Sequence, residues 1–341
     1  MAPNLATSST WLDTAMPVIF GFVLLNAALI TVTWAIWYER KFAGAMQNRP
    51  GPTEVGPFGL LQPVADIVKM LQKEDIVPDS ADKALFNLAP PLTVILVLGI
   101  LAVIPFGSWV VADLDIGLVF ALAMGSLLVV PVWMAGWASN NKYALLGAMR
   151  SAAQAISYEI PLLLCAMVPV ILAGSFNLGE IQEAQVGMRW FVLWPPGPGF
   201  FAFVLFFLCS LAEANRIPFD IPEAESELVA GITTEYTGMK FGLFYLAEYL
   251  HTLIASALAS VIFLGGADSP FVAGPGDLLG AGPQWMVAKT LFLFAGIFWI
   301  RWSILRYRQD QLLRICWVWF LPISLCLVAA SALWVGLGLG G

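Results

Sequence analysis

Charge is scarce in this 341-residue chain: 11% of residues are Asp, Glu, Lys or Arg, against roughly a quarter in a water-soluble domain. Histidine is scarcer, with His251 the single one. The four cysteines, Cys165, Cys209, Cys316 and Cys326, stand alone in apolar runs with no CxxC pair, and read as small buried hydrophobes. So few soft ligands make the chain a poor host for a structural zinc, an iron–sulfur cluster or a haem, and no metal site is expected. No basic stretch precedes the first apolar run, Ala15 to Trp37, so that run is expected to be a retained helix rather than a cleaved leader. No internal repeat is visible, and nothing points to a nucleic-acid partner.

What is abundant is apolar sequence. Hydrophobic residues make up 60% of the chain and the mean hydropathy is +0.83, which predicts an all-α polytopic membrane protein. Eight segments have the length and polarity of spans: 14–37, 88–111, 117–138, 152–174, 198–214, 239–264, 285–305 and 316–337, the fifth being short. Of the 16 Lys and Arg, all but Arg189 and Lys289 fall in alternate loops. The positive-inside rule then puts those loops on the inner side and both termini outside. The whole chain reads as a single membrane domain, 1–341. Its polar investment lies in two inner-side loops, 39–87 and 214–238.

The first of these loops carries RPGP and GP breakers, then apolar Leu60, Leu61, Val64, Val68 and Leu71 at helical spacing. Asp66, Lys69 and Lys73 lie largely off that stripe. A short amphipathic helix is predicted, resting on the membrane surface, on a partner, or on its own bundle. The second loop, LAEANRIPFDIPEAESELVAGITTEY, crowds Glu213, Asp220, Glu223, Glu225, Glu227 and Glu235 against one base, Arg216.

Three acids lie within or at the inner ends of spans: Glu159, Glu213 and Glu248. A charge at mid-helix costs about 2.5–3.5 kcal/mol on insertion scales, so such groups usually face a bundle interior. Their displacement towards the acidic loop predicts a chain of protonatable sites. Glu248 and His251 share a helix face at i, i+3, as in di-iron bundles, but one histidine cannot complete such a site. His251 is either a relay member or a packing group. Tyr38, Tyr143, Tyr158, Tyr236, Tyr245 and Tyr249 lie near inner-side ends or acids, and interfacial anchoring accounts for most of them. The residues alone allow a lone ion transporter or a membrane subunit of a larger redox machine. A lipid-acting enzyme lacks a nucleophile–base pair.

The inner loops carry a resemblance. ERKFAGAMQNRPGPTEVGPFGLLQPVADIVKML and LAEANRIPFDIPEAESELVAGITTEY are similar to signature stretches of the H subunits of proton-pumping NADH:quinone oxidoreductase, respiratory complex I, and of mitochondrial NADH dehydrogenase subunit 1. GWASNNKYALLGAMRSAAQAISYE, FYLAEYLHTL and WIRWSILRYRQDQLL extend the match, in family order, from 38 to 315. The resemblance implies an eight-helix subunit that forms the quinone entry tunnel and the lipid-side quinone chamber, with ubiquinone as substrate. It implies FMN and iron–sulfur clusters on partner subunits. The implied partners are peripheral quinone-site subunits, antiporter-like and small membrane subunits, and membrane lipids, in a bacterial inner membrane or its organellar equivalent.

By motif, Arg40 and Arg49 would line the tunnel mouth, Asp66 the chamber, and Glu213, Glu223, Glu225 and Glu227 an acidic funnel. Glu159 and Glu248 would continue a proton path, with Glu235 and Tyr236 between chamber and path and Arg301 near the tunnel. RYRQDQLL departs from the family's RYDQL, which puts the roles of Arg306 and Arg308 in doubt. Membrane-bound hydrogenases and archaeal dehydrogenases carry homologous subunits and remain the alternative.

Overall fold

The computed structural model describes residues 10–107, 109–187, 189–222, 225–269 and 280–338, the side chains of 10–15 and 225–226 excepted. Among them the regular elements are all helical: α1 (Thr10–Met46), α2 (Gln62–Gln72), α3 (Lys83–Val103), α4 (Gly117–Ser126), α5 (Val129–Ala138), α6 (Lys142–Ala173), α7 (Leu178–Glu183), α8 (Pro198–Glu213), α9 (Glu225–Leu228), α10 (Gly238–Leu264), α11 (Pro283–Ser303), α12 (Gln309–Ile315) and α13 (Leu321–Gly336). Among the described residues, seven helical stretches are long and apolar enough to cross a membrane, α4–α5 and α12–α13 each counting as one, and α8 is a shorter apolar helix. The protein is thus an all-α polytopic membrane protein.

Two helices run further than the apolar run alone predicts. The first span, expected to end at Trp37, continues to Met46, and α6 begins at Lys142 rather than 152. Asn141 starts α6 by accepting a hydrogen bond from the Tyr143 amide, and Asp82 caps α3 in the same way. Both extensions carry charged residues, which interrupt the apolar run that hydropathy follows, but a cap and an unbroken backbone ladder do not need apolar side chains.

α10 lies at the centre. Nearly every residue from Tyr249 to Phe263 is buried, and Ala255, Ser256, Ala257, Ala259 and Ser260 let neighbouring helices approach closely. It packs on α3, α11, α8 and α1, while α6 packs on α8, α13 and α5. α10 ends where Gly265 takes the left-handed conformation at φ 69°.

α1 and α8 are closed by the same device, and the closure of α8 positions a charged site. At the end of α8, Asn215 takes φ 50°, its amide donates to the Ala212 carbonyl, and the Arg216 amide donates to the Leu211 carbonyl at 3.2 Å. This is a Schellman closure with asparagine in the usual glycine position. It stops α8 at 16 residues, about 24 Å by helix rise, and turns Arg216 back into the bundle. At the end of α1, Asn48 takes φ 52° and the Arg49 amide donates to the Gly44 carbonyl at 2.9 Å. The chain then folds back, and the Trp37 indole donates to the Phe58 carbonyl at 3.2 Å.

The amphipathic helix forms at 62–72 and lies against α1 and α10. Its apolar stripe faces away from them: Leu61, Val64, Ile67, Val68 and Leu71 are exposed, and Asp66 points inward.

A buried charge cluster as the candidate functional site

The deepest charged residue is Arg216, whose side chain is fully buried. Its Nε lies 2.9 Å from Glu248 Oε1, its Nη1 3.7 Å from Glu39 Oε2, and its guanidinium stacks 3.9 Å from the centre of the Tyr249 ring. Glu39 also receives Arg301 Nη1 at 2.7 Å and the Tyr249 hydroxyl at 2.5 Å. Tyr245 and Tyr249 share a hydrogen bond at 3.2 Å. Four charges from α1, the α8 turn, α10 and α11 therefore sum to zero in the interior. That balance is what makes their burial tolerable, because an uncompensated buried ion costs several kcal/mol. Loss of water works against the Arg216 charge, but Glu248, Tyr249 and Glu39 overcome it and hold the guanidinium protonated beyond its ordinary range.

Beside the cluster is a cavity of about 80 Å³ lined by Glu213, Glu248, His251, Tyr158, Thr93, Ser151, Asn215, Thr233 and apolar neighbours. A second, of about 10 Å³, lies across Glu213 and His251, walled by α3, α4, α8 and α10. Glu213 packs against Gly125, where a Cβ would stand 2.2 Å from Glu213 Oε1. Glu159 is half-buried beside Ser126, whose hydroxyl is within hydrogen-bonding reach. Glu213, Glu248 and Arg301 thus meet in one region, with Glu159 at its edge.

The other predicted residues sit elsewhere. Asp66 receives Arg40 Nη1 at 2.6 Å, with Lys69 at 3.6 Å and the Gln62 amide at 3.2 Å. Partial burial pushes the Asp66 carboxyl up, but Arg40, Gln62 and Lys69 outweigh it and hold it below its usual range. Arg49 is exposed and donates to the Gln47 side chain. Glu227 is paired at the surface with Arg150 at 2.6 Å and Arg306 at 3.1 Å. The Arg150 hydrogen bond, with the charges of Arg150, Arg306 and Arg308, holds its carboxyl below the usual range. Arg306, left in doubt by its departure from the motif, here ties the loop before α12 to α9. Glu223 and the Glu225 side chain lie outside the described residues. Glu235 accepts from the Asn141 amide at 2.5 Å. Tyr236 stacks on Phe86 with centroids 4.1 Å apart and donates to its carbonyl; burial pushes its phenol up.

Interfacial anchoring fits Tyr38 and Tyr143, which are 41% and 38% exposed, but not Tyr158, Tyr236 or Tyr249, which are at most 5% exposed. Tyr236 donates to the Phe86 carbonyl and Tyr249 to Glu39, while Tyr158 lies near Glu213 and Glu159.

The sequence reading missed Glu39 and undervalued Arg216. The signal for Glu39 was present: Ala28, Val32, Ala35, Glu39 and Ala43 recur at helical spacing and are all buried. An acid on a stripe of small apolar residues is a buried acid. Arg216 stood out in the sequence only as the lone base among six acids, with no role assigned to it, whereas the Schellman closure turns it inward.

Among the described residues, no group of three His, Cys, Asp or Glu is placed to hold a metal ion. The cluster can hold protons and respond to charge; it offers no nucleophile.

The sequence profile of the NADH dehydrogenase family matches residues 19–332. The H subunit of NADH-quinone oxidoreductase from Rickettsia bellii (strain RML369-C) is 49% identical over 301 residues, 87% of each chain. The protein of that name from Rhodospirillum centenum is 45% identical over 327 residues, 94% of this chain and 96% of its own. That from Dehalococcoides mccartyi (strain CBDB1) is 45% identical over 316 residues, 92% of this chain and 84% of its own.

Proposed function

Since the chain belongs to the NADH dehydrogenase family, as a membrane subunit of NADH-quinone oxidoreductase, we propose that it forms the quinone entry tunnel and the lipid-side wall of the quinone chamber, and that its buried acids begin the relay coupling quinone reduction to proton translocation. The observation that carries this reading is the zero-sum cluster of Glu39, Arg216, Glu248 and Arg301 beside a polar cavity that also exposes Glu213. A purely structural core would gain nothing from burying four charges where apolar side chains of the same volume serve as well.

The cavity of about 80 Å³ is too small for a quinone headgroup, since ligand sites usually run to roughly 300 Å³ or more, but it suits water and protons. The headgroup is therefore held at the outer edge of this chain, against partner subunits, with Asp66 and Arg40 on the tunnel side. An apolar groove of about 520 Å³ between α1 and α11, lined by Trp34, Trp37, Tyr38, Leu291 and Phe294, gives an isoprenoid tail a path from lipid. Ubiquinone is the proposed substrate. FMN and iron–sulfur clusters sit on peripheral partners, antiporter-like and small membrane subunits receive the relay, and the whole chain acts as one membrane unit. The bacterial relatives favour a bacterial inner membrane.

Reducing a quinone consumes two protons, and the deficit is felt by carboxylates that titrate as a coupled set. Glu248 has Arg216 in contact on one side and the cavity on the other. A proton placed on Glu248 loosens Arg216, which then leans on Glu39. Charge at the cavity is thereby passed to the α1–α11 side without any large motion.

The test is the purified complex in proteoliposomes. Glu248→Gln and Glu159→Gln are expected to depress coupled quinone reduction and proton pumping, with rates normalised to ferricyanide reduction at the flavin. Wild-type pumping and turnover in both variants refute the relay. Turnover of NADH by this chain purified alone refutes the subunit assignment.

A further inference from the structure

His251, the chain's single imidazole, has no role in the cluster above. It lies one helical turn beyond Glu248 on α10 and is 4% exposed. Neither Nδ1 nor Nε2 has a hydrogen-bond partner. Buried polar atoms are rarely left so, and an exception calls for an explanation. Its Nε2 stands 3.7 Å from Glu213 Oε2, a small adjustment or one water beyond a hydrogen bond. The ring lines both cavities.

The elements packed around the imidazole define its electrical surroundings. α8 contributes Glu213, α6 contributes Tyr158, and α10 itself contributes Glu248. α3 offers Thr93, Val97 and Ile100, and α4 offers Ala121 and Leu122, none of them charged. Arg216, the nearby base, is committed to Glu248 and Glu39. The larger cavity has room for two or three waters at roughly 30 Å³ each, and its polar lining can hold them.

We infer that His251 carries protons between Glu213 and Glu248, an inference that rests on the relay proposed above. A neutral imidazole presents one acceptor and one N–H donor, on opposite sides of the ring. The Glu213 carboxyl gives its proton to one ring nitrogen, leaving a carboxylate and an imidazolium. The imidazolium releases the proton on its other nitrogen, through cavity water, to the Glu248 carboxylate, and is neutral again. One proton is transferred, no electrons move, and the reverse sequence uses the same atoms. A packing histidine would need no titrating ring: an amide side chain would serve there.

The experiment uses the assembled complex in proteoliposomes. His251→Gln and His251→Asn keep a hydrogen-bonding group that does not take up a proton near neutral pH, and Asn fits the space with atoms to spare. Both are expected to slow coupled quinone reduction and pumping roughly ten-fold, less than the roughly 100-fold or more that a placed proton carrier usually supplies, because water offers a partial bypass. Both are expected to change the shape of the dependence of turnover on pH, because neither amide takes up the proton that the imidazole carries. Wild-type rates and an unchanged pH profile in either variant overturn the inference. Glu213→Gln and Glu248→Gln are measured alongside. If these slow the complex and the His251 variants do not, only the role of His251 falls; if all four run as wild type, the relay falls with it. Should neither His251 variant assemble, the wild-type profile decides, and a turnover that does not vary with pH overturns the inference.

Discussion

Replacing Arg216 by Gln removes one charge from a buried set that sums to zero. The guanidinium is fully buried and loses its 2.9 Å contact to Glu248, its 3.7 Å contact to Glu39 and its place over Tyr249. Glu39 is the lesser casualty, since Arg301 at 2.7 Å and the Tyr249 hydroxyl remain. Glu248 is left with no cation in contact, only the more distant charge of Arg301. Removing one partner of a buried pair costs about 3–5 kcal/mol, and a desolvated cation–π contact about 2 kcal/mol. Some of this is recovered because the Glu248 side chain is 17% exposed and faces the cavity, where water can reach it. The expected loss is therefore roughly 3–4 kcal/mol. The double variant Arg216→Gln, Glu248→Gln restores neutrality, with Glu39 and Arg301 as the remaining pair, and is expected to recover about 1.5–3 kcal/mol. The assay is the temperature at which this subunit separates from the purified complex, read on native gels and compared with its steady level in membranes. The single variant should dissociate well below wild type, and the double variant between the two. A single variant indistinguishable from wild type, or a double variant no more stable than the single one, refutes the idea that charge balance holds this core together.

Gly125→Ala places a methyl 2.2 Å from the Glu213 carboxylate, the free end of a flexible side chain, so it should cost little stability yet slow coupled quinone reduction as Glu213→Gln does; unchanged turnover would show that the Glu213 position is not constrained. Asp66→Asn removes the charge that holds Arg40 at 2.6 Å, and Arg40 is 47% exposed, so the loss is about 0.5–1 kcal/mol at most, seen as faster protease cleavage in the 50–61 loop and altered quinone kinetics. Because the Asp66 carboxyl is held below its ordinary 3.8, that contact contributes fully above pH 3.8 and is lost as pH falls through the lowered value, so the wild-type loop should loosen only in acid and the Asn variant should not respond to pH. Lys289→Met leaves the Leu264, Gly266 and Asp268 carbonyls, now 2.6, 3.0 and 2.7 Å from the ammonium, without that donor; roughly 3 kcal/mol of stability should go, with turnover per assembled complex unchanged.

Much of this architecture follows from hydropathy alone, because a chain this apolar can satisfy its backbone in lipid only as helices. The amphipathic helix at 62–72 was legible from five apolar residues at helical spacing, but not which way its stripe would face. That depended on Asp66 finding Arg40, a contact between residues 26 positions apart. The intramembrane acids were legible for the same reason as the spans: a carboxyl in an apolar run contradicts its surroundings and stands out. Glu39 escaped because it sits beside Arg40 and Lys41, where the run of charges looks like the start of a solvated loop. A window average merges the buried face of a helix end with its wet face, whereas spacing separates them.

Arg216 escaped for a deeper reason. Its surroundings in sequence are acids and turn-forming residues, so composition assigns it to the surface. Its burial is decided by a backbone event, the left-handed Asn215 that ends α8 after 16 residues and reverses the chain. The same event explains why α8 is too short to match the ~30 Å of hydrocarbon thickness. A full-length helix would carry the chain past the plane of Glu39 and Glu248. Ending early brings the one base of the acidic stretch back to the level of those two acids. The short span and the buried arginine are thus one feature. A substitution at Asn215 tests this directly: Asn215→Gly should be tolerated, because glycine takes φ 50° without strain, whereas Asn215→Val should lose the closure and release Arg216 from Glu248, with the instability expected of Arg216→Gln. If Asn215→Val leaves the complex as stable as wild type, the closure does not set the position of Arg216.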